Sequence, residues 1–161
     1  VGDVAAGIGI LYMARGFGSG FGPIVSRRFM TDDRLVPYLL GGVLIISGAF
    51  YMAVAVSEWT GIILLYVFIS HAASGVNWVL STTMLQKRSE DEWLGRVFGT
   101  DSIGITMTMG LSTLVAGLIL ENDLLTLRET IIATGTLQIL AGLLWVLLAT
   151  PSEKKMLDES V

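Results

Sequence analysis

Long uncharged stretches recur along the chain. Residues 35–57 carry no formal charge, Glu58 interrupts, and residues 59–86 are again without one, with only the neutral His71. Residues 102–120 and 130–152 are again uncharged, and residues 4–26 are broken once, by Arg15. An α-helix rises about 1.5 Å per residue, so about 20 apolar residues cross a hydrocarbon core of roughly 30 Å. Five stretches reach that length. A soluble core helix rarely needs an uncharged run so long on every face. The pattern predicts helices over residues 4–26, 36–57, 61–86, 97–120 and 130–149, with a tail over 150–161. Segments of alternating polarity about 10 residues long, the mark of a membrane-spanning strand, are missing. An α-helix also pairs the backbone groups that lipid leaves unsatisfied. The expected fold class is therefore all-α: a polytopic transmembrane bundle of five helices. Pro37 suits a first helical turn, where its missing N–H costs nothing. Pro151 follows the last helix and is expected to stop it.

Composition agrees. Hydrophobic residues make up 53% of the 161 residues and charged residues 15%, and the mean hydropathy is +0.72. Soluble domains average about 25% charged residues. A net charge of −4 argues against a nucleic-acid surface. With no cysteine and one histidine, neither a disulfide framework nor a cysteine or histidine metal cluster is available. No cofactor is expected, and no metal. The first residue is Val rather than Met, and the chain is expected to be a fragment of a longer protein.

The cations predict orientation. Arg27, Arg28 and Arg34 lie in the first loop, Lys87, Arg88 and Arg96 in the third, and Lys154 and Lys155 in the tail. The opposite side has only Arg128. Cytoplasmic loops carry the excess of Lys and Arg, so the N-terminus is expected outside and the C-terminus in the cytoplasm of a cell-membrane protein.

Few residues offer chemistry. Arg15 falls near the middle of the first helix, where an arginine costs at least ~2.5–3.5 kcal/mol on insertion scales. It reads either as a cavity cation that binds an anionic group or as a structural side chain that ion-pairs or snorkels. The same helix holds Gly16, Gly18, Gly20 and Gly22, two overlapping GxxxG patterns that permit close helix approach, and then Pro23. The glycines and proline also read as a hinge or bend. In the third helix Ser70, Ser74, Asn77 and Ser81 share one face, flanked by His71 and Trp78. That stripe is either a cavity wall or interhelical glue worth perhaps ~0.6 kcal/mol per contact. His71 is either a packed residue or a proton carrier. Asp101, Thr108 and Ser112 share a face of the fourth helix, and the fifth holds Thr134 and Gln138. The nucleophile elbow, the zinc-protease motif and the P-loop are all missing, so no catalytic residue is expected.

Two segments carry a resemblance. From Tyr12 to Arg28 the chain reads YMARGFGSGFGPIVSRR, and from Leu85 to Gly99 it reads LQKRSEDEWLGRVFG. Together they resemble the C-terminal half of a major facilitator superfamily transporter, most closely the enterobactin-exporter-like, drug-efflux branch. In the family's cytoplasmic motif G-x-x-x-D-R-x-G-R-R, Gly22 and Arg27 align and Ser26 stands where Asp is usual. In the third loop Gly95, Arg96, Val97 and Phe98 match, while Glu90 replaces Pro and Leu94 replaces Arg. The resemblance implies that the five helices are helices eight to twelve of a twelve-helix fold, with the N-terminal half as missing partner. It implies alternating access for a small-molecule substrate in a lipid bilayer. It makes Arg27, Arg34, Arg96 and Asp101 candidates for a cytoplasmic latch, with topology as the plainer explanation. Arg15, Ser70, His71, Ser74 and Asn77 are the cavity candidates. The competing expectation is a non-transporting membrane subunit that uses the glycine faces and Arg15 for assembly.

Overall fold

The computed structural model describes residues 2–27, 33–58 and 61–159, and among these the regular structure is entirely helical. Arg28 lies outside the described residues. Helix α1 spans Gly2–Ser26, α2 Val36–Val56, α3 Ile62–Arg88, α4 Leu94–Glu121 and α5 Leu127–Leu144. A π-helical turn, Trp145–Ala149, joins α5 to α6, Thr150–Glu159. Four continuous segments are long and apolar enough to cross a membrane: Val36–Val56, Ile62–Arg88, Leu94–Glu121 and Leu127–Lys155. The protein is therefore described as a multi-pass membrane protein. Helix α1 has the length but is not one of the four. Asp3, Arg15 and its many glycines dilute its aliphatic side chains.

The helix ends follow local chemistry. Pro37 sits in the first turn of α2 as expected. At the start of α5 the Thr126 hydroxyl accepts from the Glu129 N–H, and the Glu129 carboxylate accepts from the Thr126 N–H at 2.8 Å. This capping box starts the helix three residues earlier than hydropathy suggests. Thr126→Ala is expected to cost about 1 kcal/mol, read as a lower melting temperature in detergent. An unchanged melting temperature would show that the cap is idle.

Pro151 does not stop the last helix. The helix continues to Glu159, and the preceding turn widens instead. The Thr150 N–H bonds to the Trp145 carbonyl, five residues back. Proline lacks an N–H, and in a regular α-helix its ring collides with the carbonyl four residues earlier. A π-turn moves that carbonyl aside and lets the chain continue.

Packing pairs helices that are mostly not neighbours in sequence: α2 with α5, α1 with α3, and α2 with α3. Glycines set the first two contacts. A Cβ on Gly18 would collide with the Phe68 carbonyl, one on Gly22 with that of Ala72, and one on Gly75 with that of Ser19. Helices α1 and α3 therefore touch backbone to backbone, running in the same direction. Across α2 and α5 the contact is reciprocal and antiparallel. A Cβ on Gly48 would lie 2.5 Å from the Gly135 carbonyl oxygen, and one on Gly142 would lie 2.7 Å from that of Gly41. Such closeness is how helices gain dispersion energy in lipid, where apolar burial from water supplies no drive. Val36, Leu40, Val76 and Leu80 form the buried cluster between α2 and α3, with Trp145 packed against it. The Trp145 indole N–H donates to the Pro37 carbonyl at 2.9 Å. By contrast, α4 buries none of its residues. Ile103, Met107, Leu111 and Leu114 on it are all exposed.

Candidate functional site

Three helices meet around a cleft of about 280 Å³. Leu11, Tyr12 and Arg15 come from α1, Val54 from α2, and Ile63, Val67 and His71 from α3. The α1–α3 glycine contact places these side chains. With no Cβ at Gly18 or Gly22, α1 lies close enough for Arg15 to share a wall with His71. Arg15 is exposed at the cleft edge, and its guanidinium stacks 5.6 Å from the centre of the Tyr12 ring. Among the described residues no carboxylate pairs with it. His71 is half-buried, and its Nε2 lies 2.9 Å from the Tyr51 hydroxyl of α2. The two rings meet edge to face, 5.8 Å apart. Chemically, the cleft offers a fixed cation and a hydrogen-bonded imidazole between aliphatic walls.

The serine stripe of α3 divides. Ser70 is completely buried, and its hydroxyl lies 3.0 Å from that of Ser47 and 3.1 Å from the Ser47 carbonyl. That is a helix–helix hydrogen bond between α2 and α3. Ser74 and Ser81 are exposed, and Asn77 is half-buried. The Ser81 hydroxyl donates back to the Trp78 carbonyl. Ser112 and Thr134 likewise bond to their own helix backbone. Gln138, beside the α2–α5 contact, keeps a buried side-chain oxygen with no partner.

The two GxxxG ridges also separate. Gly18 and Gly22 face α3, whereas Gly16 and Gly20 face open space. The open ridge, with Met13, Phe17, Phe21 and Ile24, forms a larger hollow of about 550 Å³ lined by α1 alone. It has no polar side chain, so the chemistry belongs to the smaller cleft.

The charged loops gather at one end of the bundle. Lys87 at the end of α3 pairs with Asp33 of the first loop at 2.6 Å. Arg88 pairs with Glu153 of α6. Lys154 lies 5.0 Å from the Tyr38 ring centre at the start of α2. The first loop, the third loop and the tail thus share one end, as the cation pattern predicts. Lys87–Asp33 is solvent-exposed on both sides and contributes little; Glu153 is only 13% exposed, so its pair is the stronger tie. Of the expected latch residues, Arg27, Arg34, Arg96 and Asp101 are exposed. Arg96 stacks 4.7 Å from the Trp93 ring centre, near Gly95 at the start of α4. Asp101 borders a shallow hollow with Gly104 and Thr108. Two ion pairs at this end, Lys87 with Asp33 and Arg88 with Glu153, tie the loops and tail together. Opposite charges at neighbouring helix ends were the available signal for them.

Compared with known protein families, curated proteins and solved structures, the chain matches none.

Proposed function

We propose that the chain is part of a secondary transporter of the major facilitator type, exporting a small amphipathic or anionic compound by alternating access. One observation carries the reading. An arginine near the middle of α1 borders a three-helix cleft without a described carboxylate partner. Leaving a guanidinium unpaired at that depth is costly, and such residues in membrane helices serve ligands or pathways. The motifs around Gly22–Arg27 and Gly95–Phe98 support the family assignment. The bare surface of α4 and the open ridge of α1 suit a second helical bundle as partner, forming the other wall of the cavity. On this reading the end holding Lys87, Arg88 and Lys154 faces the cytoplasm, the N-terminus lies outside, and the membrane is the cell membrane. Arg27, Arg34, Arg96 and Asp101 then meet the opposing bundle in one state of the cycle.

The test is efflux of carboxyfluorescein, an amphipathic anion, from cells expressing the natural full-length protein. Arg15→Ala is expected to reduce efflux at least tenfold at normal membrane abundance, and Arg15→Lys to restore part of it. Efflux indifferent to Arg15, or no efflux by the natural protein, overturns the proposal. The same bare helix faces favour one other reading, a non-transporting assembly subunit. In that case Arg15→Ala lowers abundance rather than flux.

A further inference from the structure

We infer that the α1–α2–α3 cleft takes an organic monocarboxylate, held between the Arg15 guanidinium and the Nδ1–H of His71, with Tyr51 as the positioning residue that fixes the imidazole tautomer. The inference rests on the transporter reading above and names the substrate class of its site.

The Tyr51 hydroxyl and the His71 Nε2 share one hydrogen bond of 2.9 Å. A phenol is a stronger acid than an imidazole N–H, and a bare imidazole nitrogen is a better acceptor than a phenol oxygen. The phenol therefore donates, Nε2 accepts, and the ring proton of the neutral imidazole resides on Nδ1. Which nitrogen carries the proton is set by the bond that the other makes. Nδ1 has no hydrogen-bond partner among the described residues.

The other polar side chains lining the cleft are Arg15, a planar guanidinium that only donates, and Tyr12, whose ring lies against that guanidinium. Asp3, the other charged residue on α1, lies three helical turns away by sequence. The Ser70 hydroxyl, next to His71, is already engaged by Ser47. The cleft thus presents two groups that only donate, the guanidinium and the Nδ1–H, beside the Tyr12 hydroxyl, which donates or accepts, and no carboxylate. A cation finds no counter-charge there, and a neutral amide carries none to offset the guanidinium. A carboxylate satisfies both donors, and charge-assisted bonds of this kind are about twice as strong as neutral ones. Leu11, Val54, Ile63 and Val67 supply apolar walls, and about 280 Å³ suits a body of roughly one ring.

His71 is the only histidine in the chain, so a single imidazole reports on the site. The experiment uses the 161-residue chain labelled with 15N-histidine, carried on a histidine-free tag, in phosphatidylcholine nanodiscs. The ring nitrogens are expected to show the Nδ1–H tautomer. Benzoate should shift the Nδ1 resonance in a saturable way, whereas benzylamine and benzamide should not. Arg15→Gln should raise the benzoate dissociation constant at least tenfold and leave the tautomer unchanged. Tyr51→Phe should mix the tautomers and weaken benzoate several-fold, with an unaltered backbone amide spectrum showing that the fold is kept. A wild-type site silent to benzoate, equally responsive to benzylamine, or indifferent to Arg15→Gln overturns the inference. So does the same Nδ1 shift on replacing phosphatidylcholine with phosphatidylglycerol, without benzoate, which assigns the donors to an anionic lipid headgroup. The readout needs no transport. A silent titration beside Arg15-dependent efflux removes the carboxylate assignment alone, and a benzoate response without efflux removes the transporter reading alone.

Discussion

Gly22→Ala is expected to destabilise the bundle by about 1–3 kcal/mol, the range for overpacking a tight contact, while Gly20→Ala leaves it unchanged or slightly more stable. The two glycines lie two residues apart on one helix and differ in what surrounds them. A methyl group at Gly22 falls on the Ala72 carbonyl, which is backbone and has no rotamer to escape into. Helices α1 and α3 must then separate, and the neighbouring contacts of Gly18 with Phe68 and of Gly75 with Ser19 loosen together. At Gly20 nothing lies within 4 Å. Alanine there adds only helix propensity, up to about 1 kcal/mol. Thermal unfolding in detergent followed by circular dichroism measures both variants. Equal melting temperatures would mean that the α1–α3 contact does not hold the bundle. The separation also moves Arg15 away from His71, so a stable Gly22→Ala protein should still lose benzoate binding.

Gly48→Ala and Gly135→Ala should each destabilise by a similar ~1–3 kcal/mol, and their costs should not add. Each new methyl group strikes the other glycine's carbonyl, at 2.5 Å for Gly48 and 2.7 Å for Gly135. Once the first has opened the α2–α5 crossing, the second enters space already made. Residues that share one contact depart from additivity by about 0.5–3 kcal/mol. The double variant should therefore fall well short of the sum of the two singles in a denaturant titration. Gly42→Ala is the control, because nothing lies within 4 Å of that position. Full additivity would place the two glycines in separate environments and contradict the crossing.

Hydropathy alone made the helices legible, because lipid tolerates few charges over about 20 residues and these runs are long. The pairing of the helices was only half legible. Two GxxxG ridges on α1 read alike, and nothing in their spelling says that Gly18 and Gly22 face α3 while Gly16 and Gly20 face outward. The seven-residue spacing of Gly41 with Gly48 and of Gly135 with Gly142 carried the α2–α5 contact, but it becomes a signal only once the two helices are set side by side. Pro151 misled because proline usually ends helices, whereas here a widened turn over Trp145–Ala149 precedes it and the helix continues. At the site, Arg15 and His71 were visible as polar residues in apolar runs. Tyr51 was not, since a tyrosine near the end of a membrane helix is ordinary, and its bond to His71 depends on how α2 faces α3. Periodicity left Ser70 as either cavity wall or interhelical glue, and its hydroxyl bond to Ser47 makes it the latter.

The order in which helices partner has a consequence for biosynthesis. Helix α1 leaves the ribosome well before α3, and α2 waits for α5, with the bare α4 emerging in between. Closing long loops before contacts form slows assembly. During synthesis the glycine faces of α1 and α2 lie against lipid, available to any other nascent helix with small residues. An insertase or chaperone that shelters these faces until residue 144 has emerged would set the yield of folded protein, and slowing translation between α3 and α5 should lower it.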